Sequence, residues 1–281
     1  MSTQPDAYCV MGHPIGHSRS PWIHARFAAL TGERLSYGAR LVPLDGFAQA
    51  VRDFARAGGR GCNVTVPFKT QAAELADTRS ERVARAGAAN TLVLHDGRIH
   101  AENTDGLGLV ADIEQGARVP LAGRDVLLIG AGGAAAGVLG PLLARRPRRV
   151  AVCNRTPARA QALAARHLDA AKLSKTELIA IDQQALEADF DVIINATSSS
   201  LSGGPVPVPA SVLRAGSLAY DMMYGPPAQG FLDWATRHGA HARDGLGMLV
   251  EQAAEAFALW RGVRPPSGQV LAELRTLLAS P

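Results

Sequence analysis

The chain has 281 residues, 47% hydrophobic and 19% charged, which is a globular composition sufficient for one large domain or two ordinary ones with a substantial core. Its formal net charge of +4 comes largely from arginines scattered through an alanine-rich sequence. The one dense cluster, Arg145, Arg146, Arg148 and Arg149, follows an apolar helical stretch, where it complements a helix dipole, and no aromatic residues interleave with it, which argues against nucleic acid as a partner.

The first six residues, Met-Ser-Thr-Gln-Pro-Asp, have neither a basic region nor an apolar run, so no secretory signal is expected. Cys9, Cys62 and Cys153 lie far apart in or beside strand-like runs, as buried free thiols of a cytoplasmic protein do. From Tyr8 the pattern is a strand to about Gly12, a turn with Pro14 and Gly16, and a helix from about Ser20 through Leu30 that shows Ile23, Phe27 and Leu30 on one face. Ser20 is the expected N-cap, with Pro21 at the first helical position, and Ser18 has no such duty. A second strand near Leu41 precedes a helix over 47–56, with Val51, Phe54 and Ala55 at helical spacing. In the next strand Cys62, Val64 and Val66 alternate with Asn63 and Thr65, as in a half-buried strand. Pro67 cannot continue a ladder, so Lys69 opens a new element at the strand's C-terminal end, where α/β proteins place ligands. Helix continues to about Ala86, and 91–99 reads as a hairpin turning at Asp96-Gly97. Asn103-Thr104-Asp105-Gly106 closes this section. Alone, Lys69 is a surface lysine and Asp105 a cap; presented together at loop ends, they suggest a catalytic pair.

Residues 107–118 look like a linking helix. A second alternating series follows: strand 125–130, helix 133–144, strand 149–153, helix 157–167, then strands at 191–196 and 218–220. Residues 126–144 carry no charge over a membrane-spanning length, but five glycines and Pro141 within them argue for strand, turn and helix, so no membrane association is expected. The chain ends in helices over 248–260 and 269–278. The order predicts an α/β protein with parallel, helix-covered sheets. The division expected is 1–105, completed by 245–281, and 106–244, with a cleft between the halves.

Gly130-Ala131-Gly132-Gly133-Ala134-Ala135 follows the apolar strand Val-Leu-Leu-Ile directly, the setting a dinucleotide fingerprint requires. Gly130 permits the tight turn, Gly132 lets backbone N–H groups approach a pyrophosphate, and Ala135 allows close helix packing. After the next strand, where NAD-binding proteins usually carry a carboxylate for the ribose, the residues are Asn154-Arg155-Thr156-Pro157-Ala158-Arg159. Arginine forks suit the 2′-phosphate of NADP(H), and Thr156-Pro157 is also a helix start. Ser18 and Ser20, beside Asn63, Thr65, Asn90 and Thr104, would make a pocket rich in uncharged donors and acceptors, suited to a polyhydroxylated ligand.

These motifs, with Ala86-Gly-Ala-Ala-Asn90-Thr91, Asn195-Ala-Thr-Ser198, Tyr220-Asp-Met222-Met-Tyr224-Gly225 and Gly245-Leu-Gly-Met248-Leu-Val-Glu-Gln252, occur together and in order. In them the chain resembles shikimate dehydrogenase over essentially its whole length. The resemblance implies an N-terminal substrate-binding domain, a Rossmann-type doubly wound NADP-binding domain, and C-terminal helices that return to the first domain. It implies a cytoplasmic monomer or homodimer in aromatic amino-acid biosynthesis that interconverts 3-dehydroshikimate and shikimate. Lys69 and Asp105 would be catalytic, and Ser18, Ser20, Asn63, Thr65, Asn90, Thr104, Tyr224 and Gln252 would join them in holding the substrate. Glu81, the 130–134 loop, the 154–159 segment, Met222 and Gly245 would meet the cofactor. Two departures stand out: His13 where the family usually has Asn, and Ser200 where glycine is common. His13 and His17 are separated by proline and glycine, so helical metal-ligand spacing is excluded and no metal is expected.

Ketone reduction needs a hydride and a proton. Lysine is ordinarily protonated at neutral pH and a neighbouring carboxylate favours the cation, so Lys69 is expected to donate the proton and stabilise the developing alkoxide. In oxidation it must first lose that proton, which predicts a rate rising with pH. The alternatives are a quinate/shikimate dehydrogenase using NAD, which Ser20 and Arg155 speak against, and a non-catalytic NADP-sensing regulator, whose expected signature is loss of Lys69 or Asp105.

Overall fold

A computed structural model describes residues 4–186, 189–197 and 204–279; Ser198 and Ser200 lie outside the described residues. The chain forms two compact units, residues 1–108 with 250–281, and residues 109–249.

The first unit contains β1 (Asp6–Gly12), α1 (Ser20–Thr31), β2 (Leu35–Leu41), α2 (Phe47–Arg56), β3 (Gly59–Val64), α3 (Lys69–Leu75), β4 (Thr78–Arg79), α4 (Glu81–Ala86), β5 (Thr91–His95) and β6 (Arg98–Glu102). Its sheet runs β2-β1-β3-β5-β6-β4, and β5 alone is reversed. The β5–β6 hairpin turns at Asp96 and Gly97 with φ of 47° and 73°, the two left-handed residues of a type I′ turn. Under the sheet pack Met11, Phe47, Val51, Phe54, Val64, Phe68 and Leu92. The expected continuous helix to Ala86 is two short helices instead. Asp77 takes the Ile99 N–H on its carboxylate at 2.7 Å and Ser80 caps Val83, so local side-chain bonds draw 78–79 into the sheet. Val66 also departs from the predicted alternation: β3 ends at Val64 and Val66 is 65% exposed.

The second unit takes its first residues from the end of α5 (Asp105–Ala111), which continues as one π-helical turn, Asp112–Gly116. It then holds β7 (Asp125–Ile129), α6 (Gly133–Ala144), β8 (Arg149–Cys153), α7 (Pro157–Arg166), α8 (Leu168–Ser174), β9 (Glu177–Ile181), β10 (Phe190–Asn195), β11 (Leu213–Asp221), α9 (Gln229–Arg237) and β12 (His241–Arg243). All six strands are parallel, in the order β12-β11-β10-β7-β8-β9. Numbered from β7 this is 6-5-4-1-2-3, the Rossmann order, which reverses direction at β7. The uncharged 126–144 stretch is β7, a turn and α6, and among the described residues no helix is long and apolar enough to cross a membrane. Buried Asp112 accepts from Arg243 Nε at 2.9 Å and Nη2 at 2.5 Å and from the Tyr220 hydroxyl at 2.7 Å. Gly116 and Gly247 leave space for it: a Cβ would lie 2.4 and 1.9 Å, respectively, from Asp112 Oδ1. The chain finishes with α10 (Leu246–Arg261), which passes into the first unit, and α11 (Ser267–Ala279).

Candidate active site

Because β3 and β6 both run antiparallel to β5, the C-terminal ends of β3 and β6 and the N-terminal end of β5 share one edge of the first sheet. Asn63 is in register with Thr91, and Thr91 with Glu102, so Asn63, Asn90 and the 103–105 loop converge there. Fully buried Phe68, stacked on Phe47 with centroids 4.9 Å apart, anchors the turn that makes Lys69 the first residue of α3. Asn103 plays that part for Asp105. Its Oδ1 accepts the Asp105 N–H at 3.1 Å and its Nδ2 donates to the Ala88 carbonyl at 2.9 Å.

Lys69 Nζ donates to Asp105 Oδ2 at 2.5 Å, with the two side chains 21% and 8% exposed. The carboxylate is nearly out of water, where an ion pair is screened less than at the surface, and the ammonium stays reachable by a ligand oxygen. Asn90 Nδ2 lies 2.8 Å from Asp105 Oδ1, 2.9 Å from Thr104 Oγ1 and 3.2 Å from Gln252 Oε1. The Thr104 N–H donates to Asn90 Oδ1 at 2.9 Å, which fixes the orientation of that amide. Asn63 Nδ2 donates to the Asn90 carbonyl at 3.3 Å and to Thr91 Oγ1 at 3.0 Å, and Tyr37 donates to Asn63 Oδ1 at 2.6 Å.

Lys69, Asp105, Asn63, Asn90, Thr104 and Gln252 are thus joined in one network. Thr65 stands at its margin. Its N–H donates to the Met11 carbonyl at 3.0 Å, and its methyl fills the place of a side chain at Gly12, where a Cβ would come within 2.4 Å. Ser20 corrects an expectation: it is the first residue of α1 and its side chain makes no cap bond. Ser18, two residues earlier, receives the Ser20 N–H on its hydroxyl at 3.3 Å, the local turn that a serine forms readily. Exposed His13 bonds through Nδ1 to the Val42 carbonyl at 2.9 Å, and among the described residues no three His, Cys, Asp or Glu side chains are grouped to hold a metal. Tyr37 lies outside every sequence motif, and Thr91 and Asn103 stand within motifs that gave them no role of their own. Asn103 was detectable as an Asn two residues ahead of a helix-opening Asp, but Tyr37 lies 26 residues from Asn63 on an edge strand and has no local signature.

In the second unit, Gly130 (φ 110°) donates its N–H to the Cys153 carbonyl at 2.7 Å. A Cβ at Gly130 would crowd the Ala196 carbonyl oxygen at 3.1 Å, whereas Gly132 and Gly133 face open space at the start of α6. Free N–H groups at an open helix start suit a pyrophosphate. At the end of β8, Asn154 Nδ2 donates to the Thr156 carbonyl at 3.0 Å, and Pro157 begins α7 without a side-chain cap from Thr156. Arg155 and Arg159 are exposed, and among the described residues neither forms an ion pair. Asn195 donates to Asp221 Oδ2 at 3.0 Å, and Asp221 Oδ1 accepts the Met223 N–H at 2.8 Å. Gly245 approaches so closely that a Cβ would lie 2.3 Å from the Met222 carbonyl oxygen. Glu81, expected at the cofactor, belongs to the first unit and pairs with Arg85 at 2.9 Å; Tyr224, expected at the substrate, belongs to the second and is half-buried.

The shikimate dehydrogenase substrate binding domain matches residues 10–92, the shikimate / quinate 5-dehydrogenase domain residues 112–202, and the shikimate 5′-dehydrogenase C-terminal domain residues 245–275. The shikimate dehydrogenase (NADP(+)) of Acidovorax sp. (strain JS42) is 76% identical over 280 residues, covering 100% of this chain and 99% of that protein. An Ael1 enzyme from Pseudomonas putida superimposes with a TM-score of 0.89 at 48% identity, over 96% of this chain and 98% of its own. Shikimate 5-dehydrogenase from Thermus thermophilus, solved in complex with shikimate, gives 0.84 at 33% identity over 97% and 99%. With family matches in both units and a relative this similar from end to end, the chain belongs to the shikimate dehydrogenase family.

Proposed function

We propose that this chain reduces 3-dehydroshikimate to shikimate reversibly with NADPH, and that Lys69 and Asp105 perform the proton chemistry. The observation that carries the assignment is the 2.5 Å Lys69–Asp105 pair, set among Asn63, Asn90, Thr104 and Gln252. NADPH, when bound, supplies the hydride that a ketone needs to become a secondary alcohol. Lys69 Nζ carries the proton that the carbonyl oxygen must receive, and its positive charge lowers the energy of the alkoxide as it forms. Asp105 orients the ammonium through Oδ2 and, through Oδ1, accepts from Asn90 and from a substrate hydroxyl. Ser18, Ser20, Thr65 and Tyr224 complete the substrate contacts. In the second unit the open 130–134 turn receives the pyrophosphate, and the exposed Arg155 and Arg159 hold the 2′-phosphate. Glu81, Met222 and Gly245 complete the cofactor contacts. Cys9, Cys62 and Cys153 are free and buried, which supports a cytoplasmic location.

The test is oxidation of NADPH with 3-dehydroshikimate, with NADH in a parallel assay, followed by quinate with each oxidised cofactor. Rapid turnover with NADPH, slow turnover with NADH and little with quinate is expected. Comparable rates on quinate with NAD would assign the chain to the quinate-using branch, and absence of turnover in every assay would overturn the enzymatic reading.

A further inference from the structure

Tyr37 lies on the edge strand β2, outside every motif, yet its hydroxyl determines how Asn63 is held. The Asn63 amide fits one way round. Its Nδ2 faces the Asn90 carbonyl at 3.3 Å and the Thr91 hydroxyl at 3.0 Å, and turning it over would set two carbonyl oxygens against each other. Both amide hydrogens are committed there, so Oδ1 is the atom left to meet a ligand. Tyr37 donates to that oxygen at 2.6 Å and thereby directs its remaining lone pair. The phenol ring is itself fixed: it stacks on the imidazole of His24 with centroids 4.1 Å apart and planes 4° from parallel, and meets Trp260 at 6.3 Å. His24 is fully buried, and among the described residues neither of its ring nitrogens makes a well-formed hydrogen bond, although the Asn63 side chain lies near enough to act on it. Burial pushes its pKa down to about 3, so the stack carries no charge at working pH. Desolvation likewise lifts the Tyr37 phenol well above its ordinary range, which keeps it a donor.

We propose that Tyr37 is a positioning residue for substrate recognition: its hydroxyl sets the Asn63 amide so that Oδ1 accepts a hydrogen bond from a ring hydroxyl of the substrate. The inference rests on the reading of Asn63 as a substrate contact, and the experiment separates the two. Tyr37→Phe, Asn63→Ala and the double variant are compared in steady-state oxidation of shikimate, with melting temperatures recorded. Tyr37→Phe keeps the ring and its stack, and is expected to raise KM for shikimate about tenfold while leaving KM for NADP+ and the melting temperature nearly unchanged. In the Asn63→Ala background the same change is expected to add less than twofold. If Asn63→Ala raises KM but Tyr37→Phe does not, the inference fails and the reading of Asn63 stands. An effect of Tyr37→Phe that persists undiminished in the double variant also overturns it, because Tyr37 then acts by another route. If Asn63→Ala itself leaves KM unchanged, the reading of Asn63 falls and takes the inference with it.

Discussion

Lys69 and Asp105, 36 residues apart in sequence, meet at 2.5 Å because each opens a helix at the same edge of one sheet. Lys69→Ala is expected to lower kcat for 3-dehydroshikimate reduction by roughly 10²–10⁴, the usual worth of a positioned general acid, with a much smaller change in KM. Asp105→Asn should also lower kcat sharply, since it removes the charge that aligns the ammonium. Intact turnover with a raised KM in Lys69→Ala would reduce the lysine to a binding contact.

Arg155 and Arg159 are exposed and without an ion pair among the described residues, so their charge is available to a phosphate. A hydrogen bond to a charged group is worth about 1.5–3 kcal/mol, roughly one to two decades of affinity. Arg155→Ala is therefore expected to raise KM for NADPH about 10- to 100-fold and leave KM for NADH unchanged, with Arg159→Ala acting in the same direction. Equal losses with both cofactors would show that the arginines do not read the 2′-phosphate.

His24 links stability to pH. The folded protein keeps it neutral down to about pH 3, whereas an unfolded histidine takes up its proton near 6.5. Below 6.5 the unfolded state holds more protons, so stability falls as the pH drops from 6.5 toward 3, by about 1.4 kcal/mol per pH unit from this residue. Glu273, held at about 2 by Arg26, loses its contribution only as the pH falls below its ordinary 4.5. Between 6.5 and about 5, therefore, His24 contributes to the slope and Glu273 does not. Urea unfolding across it should give a distinctly shallower pH slope for His24→Phe than for the parent, and equal slopes would contradict the assignment.

Gly247→Ala should destabilise the second unit by about 3 kcal/mol or more, because the new methyl would displace the Asp112 carboxylate that Arg243 and Tyr220 hold. Gly268→Ala in α11 meets nothing within 4 Å and should be neutral or slightly stabilising. A urea midpoint for Gly247→Ala close to that of Gly268→Ala would mean that the start of α10 gives way easily.

The glycine fingerprint after β7, the Asp-Gly hairpin and the order of most helices and strands were legible, since each depends on local chemistry or periodicity. The edge strands β9 and β12 were not, because a short strand at a sheet margin needs few buried residues and leaves little pattern. The same distinction holds at the site. Lys69, Asp105 and Asn90 sit in motifs whose turns are written in neighbouring residues, whereas Tyr37 reaches Asn63 only because β1 lies between their two strands. Val66 misled because the alternation continued in sequence after the ladder had ended at Val64.

The Asn90 amide nitrogen has two hydrogens and three acceptors within 3.2 Å. At any instant one of Asp105 Oδ1, Thr104 Oγ1 and Gln252 Oε1 is not served by it. The Thr104 hydroxyl donates to Gln252 Oε1 at 3.4 Å, so three acceptors share three hydrogens, and a ligand that engages any one of them must bring a hydrogen of its own. A polyol suits that balance, because each of its hydroxyls brings a hydrogen together with an acceptor.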